Sequence, residues 1–256
     1  MTVFFRKIGR GVLTIFQETG AVVVLLYQIV TSVRYALRDK NLVLSQMFRT
    51  GFESLPLVSV VSVFTGAVAS WQAAYQFRGI ISLDFLGAAV SAAIFIELSP
   101  VLTGLVIAGR VGASIAAELG TMKVTEQIDA LETLAIDPVR YLASPRFAAG
   151  WITLPILVIY SYLISHMGAY TVANALLGVS TSTFFNSVQQ HFAVYDVIAG
   201  LVKALVFGGG TALIGCSIGL RASGGAEGVG QATIKAFVYS SAFILIGDYI
   251  LALMLF

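Results

Sequence analysis

The stretch that decides the fold runs from residue 97 to residue 146 and reads ELSPVLTGLVIAGRVGASIAAELGTMKVTEQIDALETLAIDPVRYLASPR. It begins inside an apolar run, leaves that run at Arg110, continues as a charged amphipathic segment, and ends at Pro145 and Arg146 before the next apolar run. A long apolar run is typical of a membrane span. The charged segment that follows therefore indicates a structured helix outside the bilayer, where a partner protein would meet it.

The composition places most of the chain in a bilayer. Of the 256 residues, 58% are hydrophobic and only 11% are charged, whereas soluble domains carry about 25% charged residues. This chain has too little polar surface to cover a globule in water. Its single cysteine, Cys216, allows no internal disulfide. No small-residue cleavage site closes a short apolar core near the N-terminus, so we expect that region to be retained rather than removed as a signal peptide.

Five apolar stretches are long enough to cross a bilayer, which takes about 20 consecutive apolar residues. The polar run STSTFFNSVQQHF, residues 180–192, follows the third stretch and is predicted as a short helix or loop at the outer surface. We therefore predict an all-α membrane protein with spans at 54–77, 85–109, 147–178, 197–220 and 236–256.

The first 53 residues hold many basic side chains on either side of an apolar segment between Arg10 and Arg34. If residues 12–33 crossed the membrane, basic clusters would lie on both sides, against the preference of basic loops for the cytoplasm. We therefore predict a helix lying in the cytoplasmic interface; a span over 12–33 is the alternative. With the N-terminus inside and the C-terminus outside, Arg78 is the one basic residue left outside, and Lys203 lies within a span.

The charged segment between spans two and three predicts an acidic amphipathic helix from Lys123 to Asp137, where Pro138 would end it. A helix resting on an anionic membrane surface would ordinarily be basic, so acidic residues favour a protein partner. The alternative is a solvated loop helix. The apolar positions at helical spacing are Val124, Ile128, Leu131 and Ala135, and the acidic ones are Glu126, Asp129 and Glu132.

Three charged residues lie within predicted spans. Glu97 is near the middle of span two, where a carboxylate is costly unless it faces a cavity or has a partner, and Pro100 can open the helix beside it. It is predicted as a polar contact in a substrate cavity or, alternatively, as a protonated or internally paired structural residue. Lys203 either extends outward to the membrane surface or turns inward to pair with Glu97 or an anionic phosphate. Asp248 is predicted to form a structural pair or an interhelical hydrogen bond.

Other motifs give no sign of metal or nucleotide chemistry. His166 and His191 have no ligand spacing around them. The loop GGAEGVG follows a membrane span rather than a strand, and GxxxxGK[ST] does not occur in the sequence. If ATP drives this protein, another chain must hydrolyse it.

The stretch quoted above closely resembles the signature region of the MlaE (YrbE) permease family, the membrane subunits of ABC transporters that move lipids. The resemblance extends to GLVKALVFGG around Lys203, to the glycine-rich loop up to VGQAT, and to the terminal GDYILALMLF. It implies one permease domain over residues 1–256, with an interfacial N-terminal region at 1–53 and a transmembrane region at 54–256. It also implies a homodimer with five spans per subunit, in the bacterial inner membrane.

The resemblance further implies a function and a set of partners. The permease would move phospholipid between the inner and outer membranes and so maintain outer-membrane lipid asymmetry. It would not be an enzyme and would carry no cofactor, because Mg-ATP would bind two separate ABC ATPase subunits. The ATPases would dock on a coupling helix between spans two and three. The other partners would be a periplasmic hexamer of MCE-domain chains and, in many members, a cytoplasmic STAS-domain protein.

Particular residues match the family pattern. Glu97 matches the glutamate of an E-L-G-P motif, and Lys203 matches a lysine near a lipid cavity that opens outward at the dimer interface. Ser99 stands where glycine is usual, and Ile96 stands where some members carry arginine, which weakens the case for a strongly cationic phosphate site. Val68, Trp71 and Tyr75 of span one are predicted to line the acyl-chain path. The predicted coupling helix contributes Lys123, Glu126, Asp129 and Glu132.

Two other functions remain open. A secondary transporter would use Glu97 and Asp248 as proton-coupling carboxylates, although five spans without a visible inverted repeat are unusual for that class. A membrane scaffold for an MCE-type protein would bind partners without carrying lipid.

Overall fold

The computed structural model of the chain describes residues 20–32 and 40–256, and this part is helical, with no β-strand in it. The helices are α1 (Gly20–Ser32), α2 (Lys40–Thr50), α3 (Leu55–Phe77), α4 (Leu86–Ala93), α5 (Ser99–Ile107), α6 (Ala113–Val124), α7 (Gln127–Thr133), α8 (Ser144–Ala175), α9 (Thr181–Gln190), α10 (Val194–Gly219) and α11 (Gly225–Leu255). Three five-residue π-helical turns join some of them, at Ile94–Leu98, Ala108–Gly112 and Val139–Ala143.

Five helical tracks in the described residues are long and apolar enough to cross a membrane, which confirms the predicted five spans. Hereafter spans 1 to 5 denote these tracks. They are Lys40–Phe77, Leu83–Val124, Val139–Ala175, Val194–Gly219 and Gly225–Leu255.

Spans 1, 2, 3 and 5 extend beyond the stretches predicted from the sequence, and the extensions of spans 2 and 5 take in residues predicted for connecting segments. Span 2 continues well beyond Arg110 and ends only at Val124. Span 5 begins at Gly225, so residues 225–230 are the first turns of a helix and not part of a loop; Gly224, with φ 93°, makes the turn into it. Both extensions are rich in Ala and Gly, and the hydropathy pattern that located the spans does not reveal how far a helix continues past the bilayer.

The predicted helix from Lys123 to Asp137 is broken into pieces. Glu126 has φ 61° and Ala135 has φ 58°, and a left-handed backbone at these positions interrupts a right-handed helix. Beyond Glu126, only Gln127–Thr133 of the segment is helical, as α7, and Ile128 is its one buried residue. Lys123 lies in the last turn of α6, which ends at Val124, and Glu126 lies in the turn between α6 and α7.

The N-terminal region contributes α1 and α2. Leu25 and Ile29 of α1 are buried in the main hydrophobic core, and α2 packs against α8. Residues 1–19 and 33–39 lie outside the described residues, so the predicted interfacial helix is covered only in part. Residues 40–50 are the first part of span 1 and connect to α3 through a short 3-10 turn, Phe52–Ser54.

Span 3 is at the centre of the bundle, and glycines bring span 1 close against it. A Cβ atom on Gly66 of α3 would lie 1.8 Å from the Ser165 carbonyl oxygen, and one on Gly168 of α8 would lie 2.2 Å from the Val63 carbonyl oxygen. Gly150 and Gly208 make the same kind of contact between α8 and α10. Small residues allow such close backbone approach in membrane bundles, where dispersion contacts hold helices together.

An ion-pair network joins spans 1, 2 and 3 at the end of the bundle where α7 lies, here called the α7 end. Glu118 of α6 accepts from Arg49 at 2.6 Å and from Arg146 at 3.2 Å. Arg110 pairs with Glu53 at 2.8 Å and donates to the Ser54 hydroxyl at 2.6 Å. These bonds fix the end of α2, the 3-10 turn before α3 and the first turn of α8 to span 2.

Gly66→Ala should destabilise the protein. The added methyl group would overlap the Ser165 carbonyl, and overpacking of this kind costs about 1–3 kcal/mol. The measurement is the thermal unfolding midpoint of the purified protein in detergent. Gly230→Ala is the matched control, because Gly230 is helical and a Cβ there meets nothing within 4 Å. Equal midpoints for the two variants would contradict the proposed close packing.

Candidate functional site

The three charged residues of the apolar spans meet in one cluster. Lys203 of α10 is completely buried, and its Nζ lies 2.6 Å from Glu97 Oε1 and 2.8 Å from Asp248 Oδ1. The contact with Glu97 has hydrogen-bond geometry, and the contact with Asp248 is an ion pair. Lys203 thus turns inward, and the sequence alternative in which it extends to the membrane surface is not adopted.

The two carboxylates are the exposed members of the cluster, and the lysine is buried behind them. The Glu97 side chain is 40% exposed, the Asp248 side chain 21%, and the Lys203 side chain 0%. An ammonium group without water needs counterions, and two carboxylates supply them. With all three groups ionised, the cluster carries one more negative than positive charge, and a ligand would reach it first through Glu97.

The backbone around Glu97 departs from the α-helix. Residues Ile94–Leu98 form a π turn, in which the Ser99 N–H donates to the Ile94 carbonyl five residues earlier. Tyr162 of α8 donates its hydroxyl to the Phe95 carbonyl at 3.0 Å. Gly200 lets α10 approach this point, since a Cβ there would lie 2.2 Å from both the Phe95 carbonyl oxygen and the Tyr162 hydroxyl. The site is therefore assembled by spans 2, 3, 4 and 5.

An apolar groove of about 870 Å³ runs between α3 and the α4–α5 part of span 2. Leu98, which directly follows Glu97, is one of its lining residues, and Gln72 and Gln76 add two amide groups. Val68, predicted for the acyl-chain path, also lines the groove. Trp71 and Tyr75 are exposed on α3 but do not line this groove.

The four residues predicted for the coupling helix do not all lie on one helix. Asp129 and Glu132 are on α7, and Lys123 Nζ contacts Asp129 Oδ1 at 2.6 Å, which ties α7 to the end of α6. Glu126 and Glu132 are exposed and have no ion-pair partner among the residues described. Two exposed apolar side chains, Leu134 and Ile136, follow α7. This surface is acidic with an apolar end.

The sequence did not place Asp248 with Glu97 and Lys203. A carboxylate in an apolar helix signals that a partner exists but does not identify it. Tyr162 was also missed, because a tyrosine in an apolar run has the same pattern as any core aromatic residue. Within residues 20–32 and 40–256, no three His, Cys, Asp or Glu side chains are grouped so that they could hold a metal ion.

A family model and individual relatives of known name point to the same family for this chain. Residues 43–254 match the family model described as Permease MlaE. A probable ABC transporter permease protein of Rickettsia typhi is 40% identical over 97% of this chain and 96% of its own length. The intermembrane phospholipid transport system permease protein MlaE of Haemophilus influenzae is 31% identical over 99% of this chain and 97% of its own.

A plant protein shows the same similarity over a shorter region. The chloroplastic protein TRIGALACTOSYLDIACYLGLYCEROL 1 of Arabidopsis thaliana is 36% identical over 82% of this chain and 60% of its own length. The family match covers all five membrane-crossing helices except their outermost residues, including the Glu97–Lys203–Asp248 cluster. The chain therefore belongs to the MlaE permease family.

Proposed function

We propose that this chain is the permease subunit of an ATP-driven transporter that moves phospholipid between the inner and outer membranes and so maintains the lipid asymmetry of the outer membrane. The family membership and the name of the Haemophilus relative support this proposal. The observation that carries it is a charge cluster and an apolar groove that share the middle of span 2, through the consecutive residues Glu97 and Leu98. A phospholipid combines the two chemistries that this pair of features offers, a polar headgroup and apolar chains.

In this proposal the groove binds an acyl chain of the phospholipid, and the cluster contacts its headgroup. The groove lining is mostly apolar, with Val60, Phe64 and Leu102 along it, and dispersion contacts suit a hydrocarbon chain. Glu97 is the exposed member of the cluster, so its free carboxylate oxygen accepts hydrogen bonds from donors on a headgroup. Lys203 holds that carboxylate in place, and Asp248 is the second counterion of the same ammonium group.

A second copy of the chain completes the cavity. The α11 helix carries exposed apolar side chains on the same turns as Asp248, including Leu245, Tyr249 and Leu253. Homodimerisation, which the family resemblance implies, would place the cluster and the groove near the interface between the subunits. The cavity would then open to the outer side, away from the α7 end.

Span 2 provides the mechanical link between ATP and lipid. Two ABC ATPase subunits, which bind Mg-ATP, would dock on the acidic α7 surface formed by Glu126, Asp129 and Glu132. The Lys123–Asp129 ion pair passes movement of α7 to α6, and α6 belongs to the same helical track as Glu97. Closure of the ATPase pair would thus reshape the cavity without any covalent step on the permease.

The remaining assignments follow from the family resemblance. The chain would lie in the bacterial inner membrane with its N-terminus in the cytoplasm and its C-terminus in the periplasm. A hexamer of MCE-domain chains would bind on the periplasmic side, and a STAS-domain protein would bind the ATPases in those systems that have one. The α9 helix, at the opposite end of span 3 from α7, would face the periplasm.

Glu97→Ala should lower phospholipid transport about tenfold, because a charge-assisted hydrogen bond is worth about 1.5–3 kcal/mol. Assembly should be unchanged, since Lys203 keeps Asp248 as its counterion. The measurement uses the transporter purified from its native membrane and reconstituted in vesicles with headgroup-labelled phosphatidylethanolamine. Glu227→Ala, an exposed carboxylate on the first turn of α11, is the control. Unchanged transport in Glu97→Ala would remove Glu97 from the substrate path.

The same vesicles distinguish the proposal from a proton-coupled carrier. ATP should start lipid transport, and an imposed proton gradient without ATP should not. Transport that follows the proton gradient alone would contradict an ATP-driven permease. Purified partners without bound phospholipid would favour the scaffold function.

Glu132→Lys should weaken docking of the ATPase subunits. Glu132 is exposed and makes no salt bridge among the described residues, so reversal of its charge would put a cation against the basic surface expected on a partner that docks on an acidic helix. We expect several-fold less ATPase to copurify with the tagged permease, and the loss should shrink at high salt. Gln190→Lys places a lysine at the end of α9, with a charge change of +1 where Glu132→Lys gives +2, and should leave recovery unchanged. Equal ATPase recovery from both variants would place the docking surface elsewhere.

A further inference from the structure

One carbonyl in span 2 lacks the donor that its helical register calls for. The Ser99 N–H donates to the carbonyl five residues earlier, that of Ile94, and the next bond in this π register would run from residue 100 to the Phe95 carbonyl. Residue 100 is proline, which has no N–H. Within hydrocarbon, no water is available to take its place.

A side chain from another span supplies the missing donor. The Tyr162 hydroxyl of α8 donates to the Phe95 carbonyl at 3.0 Å, and the Tyr162 side chain is only 5% exposed. Gly200 permits this arrangement, because any Cβ at that position would overlap both the carbonyl oxygen and the hydroxyl. Three separate spans thus meet around a single hydrogen bond.

The Phe95 ring is fixed as firmly as its carbonyl. The rings of Tyr162 and His166 lie 4.9 and 4.8 Å from it, centroid to centroid, and the Phe192 ring lies at 5.8 Å. His166 is held in turn by the Ser91 hydroxyl at 3.0 Å. The residue two positions before Glu97 therefore has little freedom to rotate.

The π turn decides the direction in which Glu97 points. A π turn contains one more residue than an α turn, and one residue corresponds to a rotation of about 100° around the helix axis. If the turn relaxed to an α-helix, the side chains on the two sides of it would change their relative direction by about that angle. Glu97 would then no longer meet Lys203 and Asp248 together.

We propose that Tyr162 is a positioning residue: its hydroxyl replaces the N–H that Pro100 lacks, maintains the π turn, and so aims Glu97 at Lys203 and Asp248. This inference rests on the proposed function in that it assigns the effect on lipid transport to Glu97. Tyr162 itself would not touch the lipid.

The first test is Tyr162→Phe, assayed by transport of headgroup-labelled phosphatidylethanolamine in the reconstituted transporter. The ring and its packing remain, and only the donor is lost, so we expect transport to fall roughly tenfold. Tyr160→Phe is the matched control. It removes a hydroxyl from the same helix that bonds to Ser59 instead, at 2.6 Å, and should leave transport near the wild-type rate.

The decisive variant is a double substitution that should restore transport. Pro100→Ala gives residue 100 an N–H that can donate to the Phe95 carbonyl, so Tyr162→Phe/Pro100→Ala should regain most of the lost transport. A tyrosine that acts only by packing would not be rescued in this way. If Tyr162→Phe alone accumulates poorly, rescue is measured instead as a higher yield and a higher thermal unfolding midpoint of the purified complex that contains the double variant. Lack of rescue, or wild-type transport in Tyr162→Phe, overturns the inference.

A double-mutant cycle separates this inference from the proposed function. If Tyr162 acts through Glu97, Tyr162→Phe should have no further effect on transport in a Glu97→Gln background. Additive losses would overturn the positioning role while leaving Glu97 in the lipid path. Wild-type transport in Glu97→Gln alone would instead overturn the proposed role of Glu97, independently of the rescue result.

Discussion

An ammonium group buried in hydrocarbon has no water to bind, and the position of Lys203 therefore constrains the rest of the bundle. Its Nζ needs counterions within contact distance, which Glu97 and Asp248 provide at 2.6 and 2.8 Å. These residues come from spans 2, 4 and 5, so the three helices must pack at one depth and in one rotational setting. A slip of one residue in any of them would turn a charge toward lipid.

The same constraint accounts for small residues where spans cross. Gly200 brings α10, which carries Lys203, against the irregular turn that carries Glu97. Gly208, two turns further along α10, packs on Gly150 of α8. Because dispersion falls steeply with distance, close backbone contact at both points holds α10 in the rotational setting that the ion pairs require. Ion pairs and glycine contacts thus specify one arrangement together.

Much of this architecture could be predicted from the sequence, because hydropathy locates spans without any knowledge of their packing. The sequence also indicated that Glu97, Lys203 and Asp248 need partners, and it left open whether Lys203 turns inward. It did not reveal that α7 is short, since the left-handed backbone at Glu126 and Ala135 occurs at residues with no preference for it. Nor could it reveal Tyr162, whose role depends on which carbonyl the packing of α8 brings within reach.

Span 2 differs from the other spans in having two π turns: Ile94–Leu98, which carries Glu97 of the cluster, and Ala108–Gly112, which lies between the cluster and the α7 end. Each π turn leaves the helix with weaker local hydrogen bonding than an α turn, and each is held from outside. Tyr162 bonds to the first, and Arg110 in the second is held by Glu53 and Ser54. The route from α7 to Glu97 therefore passes through one place, and ends in another, where the backbone geometry depends on neighbouring spans. We expect a helix held in this way to move only together with the bundle around it, which fits the proposal that the whole cavity changes shape.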